Sequence, residues 1–391
     1  MTAHQFPSWP FYAEDERDAV AAVLGSGRVN YWTGGEGRAF EREFADYCDV
    51  KHAVALANGT VALEAALASA GVGTGAEVIT SSRTFIASAS AAVMRGAVPV
   101  VADVDSDSQN ITADTIEPRI SKRTRAIIPV HLAGWPCEMD AIMDLADAHG
   151  LRVIEDCAQA AAACFRGRRV GSIGHAGAFS FCQDKILTTG GEGGMLVTND
   201  ADLWSQAWSL KDHGKSYEAV YHREHPPGFR WVHESFGTNW RMTEMQAAIG
   251  RVQLCKLDAW VARRAAHAAF LNRELRDVHG LRIPMPAAHL QHAWYRFYIF
   301  VEPLALKGGW NRDRIMTEIA DRGVPCFSGS CSEIYRERAF VRADLGPREP
   351  LPIARQLGET SLMFLVHPTL GETELDQTAT AVRAVMAQAI R

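Results

Sequence analysis

Phe179-Ser180-Phe181-Cys182-Gln183-Asp184-Lys185-Ile186-Leu187-Thr188-Thr189-Gly190-Gly191-Glu192-Gly193-Gly194 joins an apolar run, one lysine and a glycine-rich turn. The residues from Ala176 to Phe181 read as a strand, so Lys185 stands just past a strand end. An amine held there is partly desolvated, and desolvation moves a lysine toward the range where it acts as nucleophile or base. Lysine is scarce in this chain, the others being Lys51, Lys122, Lys211, Lys215, Lys256 and Lys307. The plain alternative is a surface lysine beside a glycine loop, and the rest of the sequence has to decide between the two.

Working outward, Lys51 to Asp200 alternates short β-rich runs with helical ones. Thr60 to Ala70, Phe85 to Arg95 and Met139 to His149 have helical composition. Glu77 to Thr80, Val98 to Val104, Arg125 to His131, Leu151 to Glu155 and Met195 to Thr198 read as strands. Strands separated by helices of this length imply right-handed crossovers and a mostly parallel sheet covered on both faces. From His213 to Asn239 the chain has no period and is rich in Gly, Pro, His and aromatics, as in a functional or partner-contacting loop. Thr243 to His279 reads as long helices and Ala293 to Val301 as a strand. Arg312 to Arg322 reads as a helix, Val324 to Phe327 as a strand and Glu374 to Ile390 as a closing helix, with Thr373 and Asp376 at capping-box spacing. The pattern predicts a large α/β domain over residues 1–251 and a smaller α+β domain over 252–391.

Composition removes several function classes. The 391 residues are 47% hydrophobic with a formal net charge of −6, so nothing favours nucleic-acid binding. Met1 to Pro10 lacks a basic-then-apolar pattern, so no signal peptide is expected. No apolar run approaches the ~20 residues that span a bilayer. Cys48, Cys137, Cys157, Cys164, Cys182, Cys255, Cys326 and Cys331 show no metal-ligand spacing and read as buried thiols. The expectation is a cytoplasmic protein without a bound metal.

Four local signals fall at the ends of strands, where open α/β sheets bind ligands. Asn58-Gly59-Thr60 precedes a helix and offers free N–H groups to a phosphate, or is a plain N-cap. Glu155-Asp156-Cys157-Ala158-Gln159-Ala160 follows a strand. An acid there is costly unless it faces a cation, such as a pyridinium nitrogen, and Gln159 is placed to bond a ring oxygen. A metal-binding or helix-capping role for Asp156 fits the motif equally well. Phe85 stands at a strand-to-helix junction, as a ring stacker or a core residue. Ser180 ends the strand before Lys185. The glycine run has neither P-loop nor dinucleotide-binding spacing.

The order of these signals resembles the DegT/StrS-type sugar aminotransferases, a branch of the aspartate aminotransferase-like fold type I enzymes that depend on pyridoxal 5′-phosphate (PLP). The likeness includes Gly37-Arg38 to Phe44, Asn58 to Leu63 and Pro129-Val130-His131-Leu132-Ala133-Gly134. It continues through Glu155 to Ala160, the Lys185 loop and Gly237 to Ala248. Asn58, Ile186 and one additional glycine depart from the commoner pattern.

The resemblance implies a large, mostly parallel, seven-stranded-type sheet domain with a smaller C-terminal one. It implies that Lys185 forms the Schiff base with PLP, that Asp156 pairs with the pyridine nitrogen and that Gln159 reaches the ring oxygen. Phe85 would stack on the ring, and Gly59, Thr60 and Ser180 would hold the phosphate. Asn239 matches a residue that the second subunit of a homodimer contributes. A related subgroup with His in place of the lysine removes a sugar hydroxyl, and Lys185 argues against that chemistry. The implied reaction moves an amino group from an amino acid, expected to be L-glutamate, through pyridoxamine 5′-phosphate to a keto sugar. The expected acceptor is a nucleotide-linked 4-keto- or 3-keto-6-deoxyhexose for surface polysaccharide. Tyr31-Trp32, Arg230-Trp231 and Trp240-Arg241 are candidates to hold it, or else core and packing aromatics. A keto-cyclitol or unlinked keto sugar shares every cofactor residue. A non-catalytic PLP-binding regulator is the alternative from another class.

Overall fold

The computed structural model describes residues 6–391; the reading of Met1 to Pro10 falls partly on residues 1–5, outside the described residues. Seven strands form the main sheet: β1 (His52–Leu56), β2 (Glu77–Ser81), β3 (Val98–Ala102), β4 (Thr124–Ile128), β5 (Arg152–Asp156), β6 (Ala176–Ser180) and β7 (Gly194–Thr198). Their spatial order is β1-β7-β6-β5-β4-β2-β3, and β7 alone runs against its neighbours. This is the α/β, mostly parallel sheet that the alternation predicts. The sequence reading did not single out β1, whose His-Ala-Val-Ala-Leu run is short and alanine-diluted.

Helices cover both faces, so successive strand residues are buried on opposite sides. Val54, Leu56, Val78 and Ile154 pack against α3 (Gly59–Ser69), α4 (Ala87–Met94) and α6 (Ala201–Lys211). Ala53, Phe179, Phe181 and Val197 pack against α2 (Glu36–Cys48) and α7 (Glu244–Leu275). Phe44 meets Phe179 edge-on at 5.0 Å and Phe181 at 5.4 Å. Burying each such ring contributes about 1.5–3 kcal/mol. α1 (Glu14–Ser26) lies along α7, and α5 (Met139–His149) follows β4.

α7 is one 32-residue helix where the sequence suggested several, opened by a capping box between Thr243 and Gln246. It leads to a four-stranded sheet of β8 (Leu281–Arg282), β9 (Phe297–Val301), β10 (Cys326–Phe327) and β11 (Ser361–Phe364), in the order β8-β9-β11-β10. α8 (Arg312–Ala320), α9 (Pro352–Thr360) and α10 (Glu372–Ala389) complete this part of the chain.

Three boundaries differ from expectation for local reasons. α10 is capped from Gly371, whose N–H is bonded to the Glu374 carboxylate, not from Thr373. α4 starts at Ala87, which leaves Phe85 in the turn before it. β9 starts at Phe297 because Trp294 takes a left-handed φ of 51° and the Ala293 and Tyr295 N–H groups bond to Gly134 and Ala133. All eight cysteines are free, but Cys255 and Cys331 are exposed and Cys182 half-buried, so not all are the buried thiols expected. Among the described residues no helix is long and apolar enough to cross a membrane.

Candidate active site

A cavity of about 800 Å³ opens at the C-terminal ends of β2, β5 and β6 and is closed from the other side by the β9–β11 sheet. Seven of the eight residues singled out in the sequence line it: Gly59, Thr60, Phe85, Asp156, Gln159, Ser180 and Lys185. Asn239 does not.

Lys185 follows β6 in a turn that its own N–H closes on the Cys182 carbonyl at 3.1 Å. Gly190 and Gly191 supply the positive φ angles (85° and 122°) that return the chain toward β7. The side chain is partly buried, with Nζ 5.1 Å from the centre of the Tyr295 ring. The Lys185 carbonyl accepts a 2.8 Å bond from the indole of Trp9, 176 residues away in sequence. Trp9 in turn packs edge-on against Trp260 and beneath the Arg264 guanidinium, and Thr369 ties down the neighbouring Ser8 carbonyl.

Asp156 ends β5 with 5% of its surface exposed. The Ser88 hydroxyl donates to its carboxylate at 2.7 Å and the Ala158 N–H at 3.1 Å. Burial raises its pKa above the ordinary aspartate value, against the opposing effects of Ser88, the Ala158 N–H and the charge of Lys185. Among the described residues it forms no ion pair, and the cavity-lining cation whose charge reaches it is Lys185. Gln159 is held through its carbonyl oxygen by the Ala133 N–H at 2.8 Å, which leaves its amide hydrogens free to donate.

At the start of α3, Asn58 caps the helix by accepting from the Val61 N–H at 3.0 Å, a cap worth about 1 kcal/mol. The N–H groups of Gly59 and Thr60 are left toward the cavity at the positive end of the helix dipole. Gly59 sits directly on Ser180: a Cβ at Gly59 would lie 2.6 Å from the Ser180 Cβ and 3.0 Å from its Cα. A Cβ at Gly194 would lie 2.3 Å from the Asn58 carbonyl. Two glycines therefore let the phosphate-type turn close onto the lysine-bearing strand. Phe85 is 68% exposed, a large apolar ring on the cavity wall rather than in the core.

These features match the parts of PLP. Asp156 offers an anion for a pyridinium, Gln159 a donor for the ring oxygen, and Phe85 a flat face. Gly59, Thr60 and Ser180 offer donors for the phosphate, and Lys185 an amine for the aldehyde.

Behind Asp156 lies a network that the sequence reading did not isolate. Glu155 is fully buried and accepts from the Gly171, Ile173 and Gly174 N–H groups at 2.7–2.8 Å and from His131 Nε2 at 3.0 Å. His131 Nδ1 accepts from the Cys137 N–H at 3.0 Å, which fixes the Nε2 proton toward Glu155. His131, Glu155 and Cys157 stand close enough to ligate a metal, but the carboxylate and both ring nitrogens are already engaged. Burial alone would raise the Glu155 pKa; the His131 bond and charge and the backbone donors outweigh it and hold it below the ordinary value of 4.5. The stability this group contributes is present above pH 4.5 and is lost as the pH falls through the depressed pKa. Glu155→Gln is expected to cost about 3 kcal/mol and to flatten the acid limb of stability, both read from urea midpoints between pH 3 and 7.

Other cavity residues had no local signal. Ser88 is the second residue of α4. Tyr295, Arg296 and Tyr298 lie at or just before β9, and Ser330, Cys331 and Glu337 come from the segment after β10. The Tyr295 hydroxyl and Arg296 Nη2 both bond the Asp184 carboxylate, the latter at 3.2 Å. Thr84 and Ile334 N–H groups bond Cys331 and Ser82 carbonyls across the cavity rim. The reading of Ala293 to Val301 as uninterrupted strand concealed Tyr295 and Arg296.

The proposed acceptor aromatics are not brought to the cavity within this chain. Tyr31 is buried on Glu41, Trp32 donates to Asp212 at 2.8 Å, and Arg241 pairs with Asp212 at 2.8 Å. Asn239 bridges Asp212 through the backbone nearby. Phe229, Trp231 and Phe236, in the preceding loop, are 72–102% exposed.

Comparison with known proteins adds an independent line. The model of the DegT/DnrJ/EryC1/StrS aminotransferase family matches residues 10–383. The chain is 38% identical to the erythromycin biosynthesis sensory transduction protein EryC1 of Saccharopolyspora erythraea, over 95% of each. It is 36% identical to the dTDP-3-amino-3,4,6-trideoxy-alpha-D-glucose transaminase of Streptomyces venezuelae, over 93% of this chain and 90% of the other. The crystal structure of an aminotransferase from Psychrobacter cryohalolentis is 54% identical and superposes with a TM-score of 0.96 over 98% of this chain and 99% of that one.

Proposed function

Since this chain belongs to the DegT/DnrJ/EryC1/StrS aminotransferase family and is a PLP-dependent aminotransferase, we propose that it transfers nitrogen from L-glutamate to a nucleotide-linked 3-keto- or 4-keto-6-deoxyhexose. The observation that carries the site assignment is the pairing of Lys185 with a buried, cation-seeking Asp156 in one cavity. The name of the Streptomyces venezuelae relative, a dTDP-aminosugar transaminase, supports the substrate class.

When bound, PLP supplies a carbonyl to take up the amino group and a ring that draws electrons from the reacting carbon. Gly59, Thr60 and Ser180 would hold the phosphate, Phe85 would pack on the ring and Gln159 would donate to its oxygen. Asp156, kept in place by Ser88 and the Ala158 N–H, would present its carboxylate to the ring nitrogen. Lys185 Nζ is the proton carrier. It takes the α-proton of the amino donor in the first half of the reaction and delivers a proton to the aminated carbon of the acceptor in the second. Donor and acceptor use the same cavity in turn.

The phosphate site is completed by Asn239 of the partner subunit in a homodimer. The position of Asn239 outside its own chain's cavity and the exposed aromatics of the loop before it support this reading. The division between the large and small domains falls near Val252, within α7. Eight free thiols support a reducing cytoplasmic setting.

Incubating the holoenzyme with L-glutamate and a panel of nucleotide-linked keto sugars should release 2-oxoglutarate and an aminosugar in equal amounts. Release of 2-oxoglutarate only with a keto-cyclitol or an unlinked keto sugar would replace the acceptor assignment. No release with any acceptor would remove it.

A further inference from the structure

Any α-amino acid donor brings a carboxylate one bond from the carbon that loses its proton. That carboxylate must leave bulk water for a cavity in the protein, where an unpaired charge is costly. The cavity lining includes four acids (Asp156, Asp184, Glu192 and Glu337), whereas Lys185 and Arg296 are its only cations among the described residues. Lys185 is committed to the cofactor and to proton transfer. Among the described residues of its own chain that line the cavity, Arg296 is therefore the one cation left for a substrate anion.

Its surroundings suit that task. Lys185 Nζ and Arg296 Cζ lie 5.1 and 4.2 Å from the centre of the same Tyr295 ring, so both cations lie against one aromatic side chain. Arg296 spends one nitrogen on Asp184 at 3.2 Å and one on the Tyr295 carbonyl at 3.3 Å, both long bonds, out of five N–H donors. Asp184 divides its carboxylate between Arg296 and the Tyr295 hydroxyl and is half exposed, so it neutralises Arg296 only in part. Behind it, the fully buried Arg264 donates to the Trp294 and Tyr295 carbonyls at 3.4 and 3.3 Å, and its Nε and Nη2 have no partner. Burial and the neighbouring Arg296 charge pull the Arg264 pKa down to about 9, which still leaves it cationic at neutral pH. His367 is buried and, with Arg264 and Arg296 nearby, has its pKa pushed down to about 3, so it is neutral there. The wall behind Lys185 thus holds two arginines against one partly shared carboxylate.

We propose that Arg296 binds the α-carboxylate of the amino donor, with Asp184 and Tyr295 holding the guanidinium in position. The identity of the donor half-reaction rests on the function proposed above; the presence of an anion site at Arg296 does not. Proximity to Lys185 selects the donor's carboxylate over the acceptor's diphosphate, which lies several bonds from the reacting carbon.

The test separates the two halves of the reaction in holoenzyme carrying Arg296→Gln and Arg296→Lys. It also measures binding of glutarate, an unreactive dicarboxylate, by calorimetry. Losing a charge-assisted bond should raise the glutamate KM and the glutarate Kd roughly 10–100-fold in Arg296→Gln. Arg296→Lys should recover part of both, and the effect should fall on the donor half rather than on the acceptor half. A rise in acceptor KM alone would reassign Arg296 to the acceptor. A fall in kcat for both halves at unchanged KM would reduce it to a brace for Lys185. Either result overturns the proposal, as does equal glutarate affinity in parent and variant. A parent protein that binds glutarate through Arg296 but transfers nitrogen to no keto sugar would retain the anion site and fail the functional reading.

Discussion

Lys185→Ala is expected to lower amino transfer by roughly 10⁴-fold or more, because the proposed mechanism makes this one side chain both the cofactor attachment and the proton carrier in both halves of the reaction. The visible absorbance of the lysine-bound cofactor should disappear with it. The fold should persist. Lys185 is only partly buried, and its turn is held by backbone contacts to Cys182 and Trp9 that alanine preserves. A circular-dichroism melt matching the parent, with no 2-oxoglutarate produced over hours, is the expected pair of results. Turnover within tenfold of the parent would remove Lys185 from the chemistry.

Asp156→Asn should reduce kcat by roughly 10²–10³-fold, the range for removing one preorganised electrostatic partner. Asparagine is isosteric: its carbonyl oxygen in the Oδ1 place still accepts from the Ala158 N–H, and its amide in the Oδ2 place donates to the Ser88 hydroxyl, which turns to accept, so the geometry is conserved while the charge is lost. The donors at Gly59, Thr60 and Ser180 proposed to hold the phosphate are untouched, and cofactor retention on a desalting column should fall far less than turnover. Parent-like kcat in a fully loaded Asp156→Asn enzyme would show that the carboxylate charge does not assist the reaction.

The large sheet was legible because crossover spacing, strand composition and chain order all point the same way. The site residues at strand ends were legible for a related reason: Asp156, Ser180 and Lys185 each stand where a periodic run stops. Gly59 and Thr60 begin a helix whose cap is readable from Asn58. What stayed hidden has no local signature. Glu155 reads as the last apolar-flanked acid of a strand, and only folding brings three N–H groups from Gly171 to Gly174 and the His131 ring to it. Tyr295 and Arg296 look like strand residues until the left-handed Trp294 turns them toward the cavity. The aromatics at Tyr31 and Trp32 could be read as substrate-holding or as packing residues; within one chain they bond Glu41 and Asp212 and do not line the cavity.

The bond from Trp9 to the Lys185 carbonyl makes the position of the lysine depend on chain segments far apart in sequence. Trp9 lies 176 residues before Lys185, and the neighbouring Ser8 is anchored by Thr369. Arg83, just past β2, bonds Ser361 in the same way. The seven-stranded sheet is built from residues 52–198 alone and requires none of these contacts. Forming the sheet and enclosing the lysine are therefore separable steps, and the second, which closes the longer sequence separations, is expected to be the slower.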